Sequence, residues 1–199
     1  DSIATKLGTP VHTECLELTD PAAVMAAGIT TAEALGRIDI LVASAGITGP
    51  NGPVWEYPID AWQRVMDVNV KGTFLCTKAA TPLLAASKGV MILIASGAGV
   101  TGGSSSIAYG TSKGGVNGMG MTLAGHLAPR GIRVNVVCPG GIATEMKLGV
   151  IQTQAERQGK EFDSLVAASE LGDPIGVARL LAFLASSEAD YVRQRMFTR

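Results

Sequence analysis

Four short runs rich in β-branched and aliphatic residues, at 11–18, 38–45, 90–95 and 132–137, are separated by longer segments with helical periodicity. Each run has the length and composition of a strand, and each gap between the last three leaves room for a helix. Strands that alternate with helices cannot pair as tight hairpins. Their connections cross over, so the sheet is parallel and helices cover both its faces. The pattern predicts an α/β fold, a doubly wound parallel sheet of the Rossmann type. With 199 residues, 47% of them hydrophobic, the chain can bury one sizeable core, so residues 1–199 are expected to form a single domain.

The helix starts are marked by N-cap carboxylates. Asp20-Pro21 and Asp173-Pro174 add proline at the first helical position, and Asp60 precedes Ala61-Trp62. Helices are expected to run from them to about residues 35, 186 and 87 respectively. A further helix should open near Ile107 and end at Pro129, where a proline removes an amide donor. Gly114, Gly115, Gly118, Gly120 and Gly125 lie inside it. Each costs about 1 kcal/mol relative to alanine, so close packing against another backbone is expected to offset that loss. Residues 142–169 are more polar and read as a helical lid.

Composition excludes several classes of partner. The net charge of −1, from 16 basic against 17 acidic residues, provides no basic field for nucleic acid or an anionic membrane. The apolar runs are far shorter than the roughly 18 residues of a membrane span. Cys15, Cys76 and Cys138 are odd in number and scattered, and with His12 and His126 they lack metal-ligand spacing. No metal site is expected, and a reducing, cytoplasmic setting is. The partner is then a small-molecule substrate.

The strongest chemical signal is Tyr109-x-x-x-Lys113, whose spacing puts both side chains on one helix face. A phenol with a free pKa of about 10 is a poor base at neutral pH, and a nearby ammonium favours its ionised form. Ser96 lies 13 residues earlier, at the end of the run 90–95, the edge where doubly wound sheets bind ligands. Gly97-x-Gly99-x-x-Gly102 fits a dinucleotide fingerprint as a string. No acidic residue follows it before Gly141, however, and the stretch reads as a flexible loop joining Ser96 to Tyr109.

These residues stand in order with others. Ala45-Gly46 closes the run 38–45, Asn69 sits in Val68-Asn69-Val70, and Pro139-Gly140-x-x-x-Thr144 follows the run 132–137. In this order they resemble the single-domain branch of the short-chain dehydrogenase/reductase family, from Thr9 to Thr198. The resemblance implies an oxidoreductase that uses NAD or NADP to interconvert a secondary alcohol and a ketone. It implies that Tyr109 moves the proton, Ser96 binds the substrate oxygen, and Lys113 binds the nicotinamide ribose. Asn69 would hold a water linked to Lys113. Ala45, Gly46, Pro139, Gly140, Ile142 and Thr144 would line the cofactor, together with Asn69, Tyr109 and Lys113. A homo-oligomer, dimer or tetramer, would form through the glycine-rich helix and the one opening at Ala61. The segment from Ile47 to Pro53 and the lid suggest small sugars, polyols or simple ketones.

The departures also matter. Ala43-Ser44-Ala45-Gly46 stands where the family has Asn-Asn-Ala-Gly, and Glu17-Leu18 where it has an Asp. The family's opening strand, glycine-rich phosphate turn and second strand have no counterpart, so the sheet is expected to be incomplete at its amino terminus and the chain a fragment with poor cofactor affinity. Two alternatives remain: a non-catalytic relative acting by binding or self-association, and a sugar-nucleotide epimerase of the longer branch, which uses the same Tyr and Lys.

Overall fold

The computed structural model describes residue 6, residues 8–104 and residues 106–198. In chain order the elements are α1 (Pro21–Leu35), β1 (Ile40–Ala43), α2 (Ile59–Met66), a π-helical turn (Asp67–Gly72), α3 (Thr73–Ser87) and β2 (Val90–Ile94). A single turn α4 (Ala98–Thr101) follows, then α5 (Ile107–Leu127), β3 (Arg133–Cys138), α6 (Glu145–Gln158), α7 (Phe162–Ala168), α8 (Pro174–Ala185) and β4 (Met196–Thr198). The strands lie side by side in the order β1-β2-β3-β4, and every pairing is parallel.

Capping sets the helix boundaries. Asp20 accepts from the amides of Ala22 and Ala23 at 2.8 and 3.2 Å, and Gly36 ends α1 in the left-handed region at φ 80°. Asp173 accepts from Ile175 at 2.8 Å and opens α8. The third expected cap differs. Pro58, whose ring fixes φ, takes the N-cap position of α2, and Asp60 falls inside the first turn.

Alternate residues of β2 and β3 face opposite sides and fill two cores. Met91, Leu93, Val134, Val136 and Cys138 pack with Leu84, Val116 and Leu127 on the face of α3 and α5. Val90, Ile92 and Val137 pack with Leu184 and Ala189 on the face of α8. Burying a side chain of this size contributes about 1.5–3 kcal/mol, so these layers dominate the stability. The guanidinium of Arg133, only 6% exposed, donates to the carbonyls of Leu184, Ser186 and Ala189 and ties α8 to the sheet.

Two strand assignments change. Residues 11–17 form no ladder, and residues 18–19 form a turn. A strand exists only through a partner, and β1 pairs with β2 alone among the described residues. Leu16 and Leu18 instead pack against Val24, Leu75 and Ala79 of α1 and α3. The outer face of β1 is bare, with Ile40 45% and Val42 40% exposed. β4 was not anticipated from the sequence, because three residues carry no period. It is set by β3: Gln194 donates to the Val134 carbonyl at 2.9 Å, and the Asn135 amide binds Val192 and Arg195.

The glycines of α5 divide. A Cβ on Gly120 would collide with Val136 of the sheet, and one on Gly115 would touch Val70 at 3.4 Å. Gly114 lies under Gly99, where a Cβ would sit 2.5 Å from the Gly114 nitrogen. Gly118 and Gly125 meet nothing within 4 Å and face outward. The expected loop after Ser96 is also corrected. Gly99 lets one helical turn, α4, press directly on α5 before Gly102 ends it at φ 75°.

Candidate active site

Parallel pairing brings the carboxyl ends of β2 and β3 together. Ala95 donates to the Val137 carbonyl at 2.8 Å and Gly97 to that of Pro139 at 2.9 Å, so Ser96 and Pro139-Gly140 share one edge. The Ser96 hydroxyl accepts from the Ala98 amide at 3.2 Å, which orients it over the start of α4. Across from it, Ser106 caps α5 and puts Tyr109 in the first turn and Lys113 one turn later.

Lys113 is 5% exposed and its Nζ donates to the Ile94 carbonyl at 2.8 Å. Burial pushes its pKa down to about 8, against which the nearby Cys138 acts weakly in the other direction. At neutral pH the ammonium form still predominates. Its nitrogen lies 5.9 Å from the centre of the Tyr109 ring. Cys138 donates to the Asn117 side chain at 3.1 Å, and burial pushes its thiol pKa up, so the thiol stays protonated.

Ser96, Tyr109 and Lys113 line one cavity of about 540 Å³. Gly46, Pro139, Gly140, Ile142 and Thr144 line the same cavity. A Cβ on Gly46 would stand 3.2 Å from Asn69 Oδ1 and 3.4 Å from Lys113 Nζ, so a side chain here would crowd both groups. Backbone bonds from Ala143 to Gly172 and from Gly172 to Gly141, both 2.9 Å, stitch the strip 141–143 in place. Thr144 both lines the cavity and caps α6, accepting from the Lys147 amide at 3.4 Å.

Two expected residues lie outside the lining. Ala45 borders a separate hollow of about 200 Å³ beside Leu18 and Cys76. Asn69 is fully buried in the π-helical turn, and its side chain makes three hydrogen bonds. Its Oδ1 accepts from the Ile47 amide at 2.8 Å, and Nδ2 donates to the Ile47 carbonyl and to Ser112 Oγ, both at 2.9 Å. The amide thus clamps the loop after β1 onto α5. Other cavity residues carry no motif: Ser44, Thr48, Asn51, Ser104 and Lys147. Their only signal is position: Ser44 beside Ala45-Gly46, Thr48 and Asn51 in the glycine- and proline-rich loop 47–53, Ser104 in the stretch between Ser96 and Tyr109, and Lys147 in the segment 142–169.

A nicotinamide cofactor fits this set: the walls near Lys113 are narrowed to backbone at Gly46 and Gly140, and the ammonium faces the same space. With a parallel α/β sheet presenting a hydroxyl, a phenol and a buried lysine at its carboxyl edge, the chain belongs to the short-chain dehydrogenase/reductase family, whose members are oxidoreductases using NAD or NADP. A family model described as Enoyl-(Acyl carrier protein) reductase matches residues 1–197.

Particular relatives narrow the neighbourhood. The chain is 36% identical over 187 residues to a 2-dehydro-3-deoxy-L-rhamnonate dehydrogenase (NAD(+)) of Sphingomonas sp. (strain SKA58), covering 94% of this chain and 74% of that protein. It is 38% identical over 165 residues to Glucose 1-dehydrogenase 2 of Bacillus subtilis (strain 168), covering 82% of this chain and 63% of that protein. The crystal structure of an NAD+-bound xylitol dehydrogenase superposes with a TM-score of 0.90 at 28% identity, covering 99% of this chain and 80% of the other.

Proposed function

We propose that the chain moves hydride between a nicotinamide cofactor and a secondary alcohol or ketone, with Tyr109 as the acid/base. The observation that carries this reading is the convergence of Ser96, Tyr109 and the buried ammonium of Lys113 on one cavity. In the oxidative direction the substrate carbon loses its hydrogen with the electron pair, and its hydroxyl proton passes to Tyr109 as the carbonyl forms. When bound, the nicotinamide supplies the hydride acceptor, or the donor in reverse. Ser96 donates to the substrate oxygen, and Lys113 holds positive charge beside it and binds the ribose. Gly46, Gly140, Ile142 and Thr144 seat the nicotinamide, and Asn69 fixes the loop that carries Gly46.

The substrate class follows from the rest of the wall. Ser44, Thr48 and Asn51 bring hydroxyl and amide groups to the lining, and its charged side chains are Lys113 and Lys147, with no carboxylate among the described residues. That suits a small polyhydroxylated substrate, including one with a carboxylate or phosphate. The names of the rhamnonate, glucose and xylitol dehydrogenases support it.

The free thiols of Cys15, Cys76 and Cys138 favour a reducing compartment such as the cytoplasm. No helix of the described residues is long and apolar enough to cross a membrane. The outward face of α5 at Gly118 and Gly125 and the 48% exposed Phe74 of α3 are the surfaces through which two copies would associate. The bare face of β1 leaves room for a further βα unit, so we infer that the domain is completed by one.

Nicotinamide absorbance with matched neutral and anionic ketones tests the reading. Tyr109→Phe deletes one hydroxyl and keeps the ring, so turnover should vanish with the melting temperature within about 2 °C of wild type. A variant that keeps most of its turnover would overturn the assignment.

A further inference from the structure

The loop between β1 and α2 crosses the cavity with Thr48 and Asn51 in its wall, and it is pinned at two places. Asn69 holds Ile47, as described. At the far end the Tyr57 hydroxyl lies 3.0 Å from Ser106 Oγ. Ser106 is 3% exposed, and its Oγ accepts the Tyr109 amide at 3.4 Å. The Ser112 hydroxyl, which receives Asn69 Nδ2, donates to the Tyr109 carbonyl at 2.8 Å. Tyr109 is therefore gripped on both sides of its own backbone: its N–H through Ser106 and its C=O through Ser112. Each serine is held in turn by a side chain from outside α5.

The packing around Tyr57 leaves it little choice of position. Gly49 adopts φ 70°, and a Cβ there would stand 2.9 Å from the Tyr57 hydroxyl, 2.7 Å from Val65 Cγ2 and 3.6 Å from Ser106 Oγ. The loop folds directly over the hydroxyl pair. Ser106 has the N-cap position of α5 and one hydroxyl to satisfy both Tyr57 and the helix. Without the tyrosine hydroxyl, Ser106 keeps its capping bond only by holding its own rotamer, at a cost in side-chain entropy.

We propose that Tyr57 is a positioning residue for Tyr109, acting through Ser106. The inference rests on Tyr109 being the acid/base. Tyr57 touches neither cofactor nor reacting atoms in this role. It holds the first turn of α5 at the angle that aims the Tyr109 ring into the cavity, and small errors in such aim are costly in rate.

Two measurements on the full chain test this. Amide hydrogen exchange needs no turnover. In Tyr57→Phe the Tyr109 amide should exchange about threefold to tenfold faster, with the amides of β3 unchanged, and Ser106→Ala should reproduce the effect. Steady-state kinetics with the ketone panel should show kcat lowered by a similar factor while KM and melting temperature stay near wild type. Ser106→Thr, which retains a hydroxyl, should recover most of the rate lost in Ser106→Ala. The Tyr57→Phe/Ser106→Ala double variant should be no slower than Ser106→Ala alone. Wild-type exchange at Tyr109 in Tyr57→Phe overturns the proposal, whatever the activity. So does a fall in kcat accompanied by an equal rise in KM and a lower melting temperature, the mark of a merely structural residue. If Tyr109→Phe is dead and Tyr57→Phe is like wild type, positioning fails alone; an active Tyr109→Phe removes the underlying reading as well.

Discussion

Lys113 is the residue whose cost to the fold can be worked out, and Lys113→Met is the perturbation that measures it. Burial lowers its pKa from 10.5 to about 8. A base whose folded pKa lies below its unfolded one binds fewer protons when folded, so stability rises with pH between the two values. Below about pH 8 both states are protonated and the full penalty applies, on the order of 3 kcal/mol at 1.36 kcal/mol per pKa unit. Above about pH 10.5 both are neutral and the penalty is gone. Between pH 7 and pH 10 wild type should therefore recover about 2 to 3 kcal/mol relative to Lys113→Met, which has no proton to shed. At pH 7 the variant keeps the packing but leaves the Ile94 carbonyl without its donor, a loss of about 1 to 3 kcal/mol. Its net stability there should be close to wild type or slightly higher, although its function is lost. Urea unfolding of both proteins at several pH values gives the comparison, and groups titrating in both cancel in the difference. Parallel stability curves from pH 7 to pH 10 would refute the reasoning, because they would mean that the ammonium is not desolvated in the fold.

Other expectations follow from the glycines and from the outer face of α5. Gly99→Ala would drive a methyl to 2.5 Å from the Gly114 nitrogen, so the melting temperature should fall by several degrees, about 2–4 °C per kcal/mol, with cofactor affinity weakened as α4 lifts off Lys113. Gly118→Ala meets open space, and its better helix propensity should raise monomer stability by about 1 kcal/mol in thermal unfolding. Light scattering at micromolar concentration should give a dimer or larger, and a monomeric folded chain would remove the self-association.

The parts of this molecule legible in its sequence are those in which one residue dictates local geometry. Asp20 and Asp173 announce their helices because a carboxylate can satisfy the first free amides, and Tyr109 and Lys113 share a face because the helix repeat requires it. The strand at 11–18 shows the converse: its residues favour extension, but a ladder needs a neighbour, and the segment turns its leucines onto helices instead. β4 is legible only through the Asn135 side chain that receives it, sixty residues away in sequence at Arg195. Asn69 is legible as part of a motif, whereas its side-chain bonds to Ile47 and Ser112 are not, because those partners lie 22 and 43 residues away in sequence. The cavity wall beyond the motif was obscure because serine and threonine in loops look alike whether they face solvent or substrate.

The π-helical turn at Asp67–Gly72 carries a consequence for the helices on either side of it. An α-helix advances about 100° per residue, so a turn that holds one extra residue sets α2 and α3 out of phase with each other. This offset lets one continuous rod face two directions: Asn69 meets Ile47 above, and Leu75, Ala79 and Leu84 meet their cores below. Deleting a single residue from the turn would restore ordinary α-helical bonding and improve the local geometry. It would also swing one end by about 100°, and either the amide would leave its loop or a leucine face would leave the core. The widened turn is a phase shifter, and in this rod a shorter, more regular helix would be the worse one.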